Sequence, residues 1–437
     1  MTWLHAIMAW LVHLVVVPYF ALKPKLRVGL WRRFWWRRRP ATLPRPLPPD
    51  GVAGPQPPLR VWAHGASAGD VLCLRPLLEE LGRRRSLAVT VSALTGSGVD
   101  MARRRLPGAR VEFLPFDLPG ATARAVDALR PDLLLLERAE IWPALIRRAH
   151  AAGAAIAIVN GRIAPSSVAP YRRLLRWTGN VLADVDRFLV RDEGEAARMR
   201  SIGAPTERIV VTGNTKFDHA LQVPDRAAID AFAASLGLAA GQPIAVAGST
   251  HRGEEALVAT AFASALRALP TARLIVAPRY LERCDEVLAD IGRAGLRAVR
   301  RSSLAGVSPE APVILLDTMG ELALSYGLAR VAFVGGSLVP RGGQNMLEPA
   351  ALGVPVLAGR HTEHSADQIA LLGGRGLIEL AGPADLEREL QRLLAEADAA
   401  AALGRQARAA LAAAGGASAR CADELLALLS SSPRRAT

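Results

Sequence analysis

Short apolar runs of four to seven residues recur along this chain between stretches of helical period, and that alternation constrains the fold more than any other feature. A strand buried on both faces has no polar side to show, so it reads as a continuous apolar run. Such runs separated by amphipathic helices predict parallel sheets covered by helices on both faces. The first series is Leu59–Ala63, Leu87–Ala93, Arg110–Pro115, Asp132–Leu136, Ala155–Val159, Arg187–Val190 and Ile209–Thr212. A break falls at Val223–Gln242, and a second series follows: Ile244–Ala247, Arg273–Ala277, Pro312–Leu316, Val331–Val334, Pro355–Ala358 and Leu377–Leu380. A chain of 437 residues is too long for one hydrophobic core. The expected architecture is α/β, with two Rossmann-like domains in tandem at 59–222 and 243–437 and a linker at 223–242. The Ala/Leu/Arg-rich stretch Asp385–Leu429 is helical by pattern and either closes the second domain or returns to the first.

The N-terminus has a different character. Thr2–Leu22 carries no charged residue, and Lys23–Arg39 then holds eight basic residues and no acidic one, with Trp31, Trp35 and Trp36 among them. Basic charge and tryptophan beside an apolar stretch suit an anionic membrane surface on the cytoplasmic side. Residues 1–39 are therefore expected to anchor the chain, whether by spanning the bilayer or by lying in its interface, and Pro40–Pro58 reads as a linker. A secretory signal is not expected, because no basic residue precedes the apolar core and no small-residue cleavage site follows it. The net charge is +14, but basic and aromatic residues interleave only in this segment, so nucleic acid is not the expected partner. Cys73, Cys284 and Cys421 are widely spaced and form no metal-binding or disulfide pattern, which implies a reducing compartment.

Ligands of α/β folds bind beyond the carboxyl ends of the strands, so the residues there carry the functional reading. After the first strand comes Trp62–Asp70, WAHGASAGD, whose small residues at Gly65, Ala66, Ser67 and Gly69 let a substrate approach the backbone. Asp70 stands in the next helical turn, as a general base or as a charge complementing the helix dipole. His64 is open in the same way between a structural and a catalytic role. Glu140 in EIWP, Arg162 in NGR and Lys216 in GNTKFD also follow strands of the first series. In the second series Ser249 lies in AGSTH, Pro278 and Arg279 follow the next strand, and Met319, Gly320 and Glu321 lie in DTMGE. The stretch Gly335–Gly353, GGSLVPRGGQNMLEPAALG, has two Gly-Gly pairs and enters a helix near Gln344. Glycine-freed amides before a helix N-terminus suit a phosphate. Asn345 and Glu348, three residues apart, share a helical face, and Glu348 and Glu321 suit sugar hydroxyls. No GxxxxGK[ST] is present and no GxGxxG follows a first strand, so neither an ATPase nor a dinucleotide enzyme is read.

Together these motifs resemble those of the bacterial 3-deoxy-D-manno-octulosonic acid (Kdo) transferases, inverting glycosyltransferases of the GT-B fold. The resemblance covers nearly the whole chain and is carried by HGASAGD, EIWP, GNTKFD, AGSTHRGEE, APR, LDTMGELALSYGLA and GGSLVPRGGQNMLEPAALGVPVLAG. It implies transfer of Kdo from CMP-Kdo to the 6′-hydroxyl of a lipid A precursor at the inner membrane, with no metal or other cofactor. By the same resemblance Asp70 is the base, and Glu140 and Lys216 support the transition state. Ser67, Gly69 and Arg162 lie on the acceptor side. Ser249, Pro278, Arg279, Met319, Gly320, Glu321, Asn345, Met346, Leu347 and Glu348 fall on the CMP-sugar side. The chain departs from the family pattern on the acceptor side. Asp70 stands for the usual glutamate, and Glu137-Arg-Ala-Glu-Ile-Trp-Pro143 replaces Met-Glu-Thr-Glu-Leu-Trp-Pro, with Arg138 for an acid. Asn160-Gly-Arg-Ile-Ala-Pro-Ser-Ser167 replaces Asn-Ala-Arg-Leu-Ser-Glu-Arg-Ser. Two other readings stay open: a CMP-activated sugar carried to another acceptor, or a membrane-bound nucleotide-binding protein without catalysis.

Overall fold

The computed structural model describes residues 17–34, 57–304 and 311–431. Two compact units make up the chain: Met1–His219 with Gly415–Thr437, and Ala220–Ala414. The first unit is built on seven strands, β1 (Leu59–His64), β2 (Leu87–Ala93), β3 (Arg110–Phe113), β4 (Leu133–Glu137), β5 (Ala155–Gly161), β6 (Arg187–Val190) and β7 (Ile209–Val211). They lie in the order β3-β2-β1-β4-β5-β6-β7, every neighbouring pair parallel. All of β4 is buried because its successive residues feed opposite cores: Leu133 and Leu135 enter one, Leu134 and Leu136 the other. That is the physical origin of the continuous apolar run in the sequence.

The second unit repeats the plan with β8 (Ile244–Thr250), β9 (Arg273–Pro278), β10 (Ala298–Arg300), β11 (Val313–Leu315), β12 (Val331–Val334), β13 (Val356–Gly359) and β14 (Leu377–Leu380). Their order is β10-β11-β9-β8-β12-β13-β14, again all parallel. In each unit the strand order reverses beside the first strand, between β1 and β4 and between β8 and β12. Such a switch point opens a crevice at the carboxyl ends of the strands.

Three expectations about organisation need correction. The stretch expected as a linker, 223–242, holds a helix, Arg226–Ser235, whose Ile229 and Phe232 are buried; Phe232 and Leu236 belong to the core of the second unit. The second unit ends at Ala414, and the last helix, Ala417–Ser431, places Cys421, Ala422, Leu425, Leu428 and Leu429 in the core of the first. Its start is fixed there by Asp218, whose carboxylate accepts the Gly416 and Ser418 amides at 2.6 Å each, and by Arg420 donating to the Thr212 carbonyl at 2.9 Å. Asp218 of the GNTKFD motif is thus a structural residue. The strand Ala298–Arg300 was also unforeseen; it is three residues long, half-buried, and lies at a sheet edge.

Residues 1–16 and 35–56, and with them most of the expected anchor and Pro-rich linker, lie outside the described residues. The portion at 17–34 packs on the first unit. Phe20 and Phe34 meet Phe116, with ring centroids 5.5 and 4.5 Å apart. Arg33, expected as a surface charge, is 1% exposed, donates to the carbonyls of Leu94 and Leu114, and lies 4.8 Å from the Phe113 ring centroid. Burial lowers its pKa to about 10. Among the described residues no helix is long and apolar enough to cross a membrane.

Candidate active site

At the switch point of the first unit, β1 ends at His64 and the chain turns through Gly65–Ser67 into the helix Ala68–Arg84. A Cβ on Gly65 would lie 2.9 Å from the Asp70 carbonyl carbon, so only glycine allows so tight a turn. Asp70 reaches back to close a capping box: its Oδ2 accepts the Ser67 amide at 3.0 Å and the Ser67 hydroxyl at 2.7 Å. Its Oδ1 lies 3.0 Å from Arg138 Nε, yet it accepts no aligned hydrogen bond from any described residue. Asp70 is 4% exposed. A buried carboxylate oxygen in that state is unusual and marks a place where a ligand donor can complete the site.

The loop after β4 supplies the facing residues. Arg138 holds a φ of +62°, a region that non-glycine residues seldom enter. Asn160 in β5, at +51°, and Ser249 in β8, at +54°, do the same. Strain of this kind collects at ligand sites. Glu140 Oε2 accepts the Trp142 indole at 3.0 Å and lies 3.5 Å from Nε2 of the fully buried His64. The other His64 nitrogen sits 3.0 Å from the Ser92 carbonyl, so the ring is anchored on β2, and its Nε2 faces Glu140 without a hydrogen bond to any described residue. Tyr171 fixes the same loop by donating to the Ala139 carbonyl at 2.8 Å.

Glu137, at the end of β4, is fully buried, and Asn160 Nδ2 donates to both of its oxygens, at 3.0 and 3.1 Å. Burial pushes its pKa up to about 8 against the pull of Arg191, Asn160 and Arg138, with the Asp70 charge adding to the rise. Asn160 also accepts the Thr215 amide at 2.9 Å, and the Thr215 hydroxyl donates to the Cys73 carbonyl at 2.7 Å. This network ties the GNTKFD loop to the Asp70 helix. Lys216, Asp70 and Glu137 all bear electrostatically on the buried Cys73 thiol, whose pKa burial raises to about 12. Ser67 and Asp70 share one helix start, and Lys216 bears on Cys73 in the same helix. Gly69 is in its first turn, Glu140 reaches the end of β1 through His64, and the exposed Arg162 bears on the half-buried Arg191.

In the second unit the first amides of the Gly-rich loop after β12 are not open to a phosphate as the spacing suggested. Gly336, Ser337 and Leu338 donate instead to the carboxylate of Glu254, at 2.7, 3.0 and 2.9 Å, and the His251 amide adds a fourth bond at 2.9 Å. Glu254 is fully buried and opens the helix Glu254–Ala268. Gly335 is required for this packing, because a Cβ there would lie 2.4 Å from the Ser249 carbonyl oxygen. Basic side chains gather close by. The His251 pKa is lowered by burial and by Arg341, Arg279 and Arg283. Arg279 stacks on Tyr280, 5.5 Å from its ring centroid, and Gln344 Nε2 lies 3.4 Å from His251 Nε2. Arg283 is committed to Glu255, at 2.8 Å, which leaves the exposed Arg279 and Arg341 as the cations best placed for an anion. Arg341 was not singled out from the sequence, where only its position in the loop pointed to it.

The remaining donor-side residues divide. Asn345 donates to Glu348 at 2.9 Å, but the helix opens only at Leu347 rather than near Gln344, so Asn345 meets Glu348 from the loop before the helix and not from a shared helical face. Burial raises the Glu348 pKa, and the carboxylate bears on the buried Tyr326 hydroxyl. Met346 and Leu347 are fully buried, so their side chains serve the core. Their amides are taken by Gln368, at 2.7 Å, and by Asn345, at 3.2 Å. Pro278 is buried, Met319 is 81% exposed, and Gly320 has a φ of +90°. Glu321 is held by the Thr318 hydroxyl and by Arg301, at 3.2 Å. Among the described residues no group of three or more His, Cys, Asp or Glu side chains is placed to hold a metal ion.

Comparison with known proteins decides the family. A family profile described as 3-Deoxy-D-manno-octulosonic-acid transferase (kdotransferase) matches residues 29–219. The 3-deoxy-D-manno-octulosonic acid transferase of Bordetella pertussis is 35% identical over 429 residues, covering 92% of this chain and 96% of that protein. The chain belongs to the 3-deoxy-D-manno-octulosonic acid transferase family. The transferase of the same name from Haemophilus influenzae is 30% identical over 79% of this chain and 81% of its own. This family member is accordingly an enzyme, a glycosyltransferase. Among solved structures, the UDP-GlcNAc 2-epimerase of Neisseria meningitidis aligns with a TM-score of 0.58 at 14% identity, over 84% of this chain and 100% of that one. At that identity the likeness shows a shared fold of two Rossmann-like domains. The profile match falls within the unit that holds Asp70, Arg138, Glu140 and Lys216 and includes all four.

Proposed function

We propose that this protein transfers Kdo from CMP-Kdo to the lipid A precursor, lipid IVA, with inversion at the anomeric carbon, in lipopolysaccharide core biosynthesis. The observation that carries the reading is Asp70. It is a buried carboxylate at the switch point, with one oxygen fixed by its own helix cap and the other lacking an aligned donor. In the proposed reaction Asp70 Oδ1 takes the proton of the acceptor hydroxyl. The freed electron pair forms the new bond to the anomeric carbon, and the bond from that carbon to the CMP phosphate oxygen breaks, CMP leaving with its electrons. Ser67 keeps the base oriented, while Lys216 and Glu140 adjust the charge around the acceptor. In the second unit Arg279 and Arg341 meet the phosphate, with His251 beside them, and Glu348 and Glu321 accept from hydroxyls of the nucleotide sugar. Side-chain cations serve as the counter-charge in this scheme, so it calls on no metal or other cofactor.

The same reading places the protein on the cytoplasmic face of the inner membrane, with anionic lipid as a partner and no nucleic acid. Its support is the basic, Trp-bearing N-terminal segment. Within the described part of that segment Leu22 is 81% and Trp31 74% exposed, with Tyr19 and Val28 above half. The deciding experiment incubates the purified full-length protein with CMP-Kdo and a tetra-acylated lipid A precursor and follows the products by mass spectrometry. A mass gain of one or more Kdo units with release of CMP is expected. CMP binding without transfer to any such acceptor would reject the assignment in favour of another acceptor or a non-catalytic role.

A further inference from the structure

Arg138 has no part in the reaction as drawn above, yet its placement calls for an explanation. The residue directly follows β4, its amide still donates to the Val159 carbonyl at 2.8 Å, and its backbone is in the left-handed region at φ +62°. Asparagine or glycine would adopt that conformation more easily. The side chain is 46% exposed, whereas that of its partner Asp70 is 6% exposed, and its Nε stands 3.0 Å from Asp70 Oδ1. The other Asp70 oxygen is already filled by the Ser67 amide and hydroxyl. Oδ1 is sealed from solvent and accepts no aligned hydrogen bond from a described residue. The uncommitted oxygen of the carboxylate is therefore the one that the guanidinium faces.

We infer that Arg138 is a positioning residue for Asp70: it shields Oδ1 in the unliganded enzyme, yields that oxygen to the incoming hydroxyl, and stays close enough to act as counter-charge. This rests on the reading of Asp70 as the base under the proposed function. A half-exposed ion pair is held weakly, so displacing the guanidinium costs little, while the long arginine side chain compensates for a carboxylate one methylene shorter than glutamate. The charges around Asp70 are distributed unevenly. Asp70 bears on Glu137 of β4 and on Cys73 of its own helix, both kept neutral by burial below about pH 8, while Arg191 beyond β6 bears on both of these and Lys216 beyond β7 on Cys73. Among the described residues only Arg138 forms an ion pair with Asp70. Removing it takes away the positive charge paired with Asp70, which favours the protonated carboxyl and weakens the base at low pH.

The test is the pH dependence of kcat/KM for Kdo transfer in the full-length protein. It compares the wild type with Arg138→Asn, which tolerates the left-handed backbone, and with Arg138→Lys. The acid limb of the Arg138→Asn profile should move to higher pH by about half a unit, a roughly threefold greater loss below the limb than above it. Arg138→Lys should keep the wild-type limb. If Arg138→Asn proves unstable in a melting curve, Arg138→Gln reads the same shift with a side chain nearer in length. Wild-type and charge-removed profiles that superimpose would overturn the inference while leaving the proposed function standing. A wild type without transfer would overturn the function and the inference with it.

Discussion

The two units set an acidic side chain at the same topological address, in the first turn of the helix that follows the central strand, and treat it in opposite ways. Glu254 accepts four backbone amides, three of them from the loop across the switch point. It is a buried anion neutralised by dipoles, and it fixes the Gly-rich loop. Asp70 accepts one amide and one hydroxyl from a single residue, Ser67, and leaves an oxygen facing a movable arginine. Position in the fold does not distinguish the two acids. The accounting of their hydrogen bonds does: one carboxylate is saturated and structural, the other is unsaturated and available for chemistry.

The sharpest way to break this comparison is through stability. Glu254→Ala would leave several buried amides without an acceptor and is expected to cost about 3–5 kcal/mol. Asp70→Ala removes a capping box and is expected to cost about 1 kcal/mol. Chemical denaturation of the two variants measures the contrast. Equal losses would mean that both acids serve the fold alike.

A smaller effect concerns the carboxyl next to the proposed site. Burial raises the Glu137 pKa from 4.5 to about 8, so over that range the folded protein holds a proton that the unfolded chain has released. Stability from this group is therefore present at low pH and is lost as pH rises toward about 8. Glu137→Gln cannot ionise, so its Tm should fall less between pH 5 and pH 8 than that of the wild type. Parallel Tm curves for the two proteins would show that Glu137 is ionised in the native state across this range.

The sequence made the sheets legible because a parallel strand must be apolar along its whole length, as Leu133–Leu136 is. It hid Ala298–Arg300, which is too short and too exposed to carry that signature. Amphipathic period identified Ala417–Ser431 as a helix but not which core its Leu425 and Leu429 enter, since apolar faces have no address. The site shows the same limit. Strand-end position marked Asp70, Glu140 and Asn345–Glu348. What pairs with them is long-range, and neither Arg138 on Asp70 nor Glu254 on the Gly336–Leu338 amides follows from spacing. Glycine content said that the loop after β12 had free backbone geometry, and it could not say that a carboxylate distant in sequence would consume the amides. Met346 and Leu347 lay within the right motif, but the core claims their side chains.

The most direct test of the account is single-turnover Kdo transfer by Asp70→Asn, measured beside its CMP affinity and its melting temperature. Asparagine keeps the size of the side chain and an oxygen for the Ser67 cap but cannot accept the hydroxyl proton. The account predicts a rate loss of about 10²–10⁴, the range for a missing general base, with CMP affinity and Tm close to wild type. Transfer by Asp70→Asn at a rate near that of the wild type would contradict it, because the base would then lie elsewhere and the unsaturated oxygen at this switch point would have no catalytic meaning.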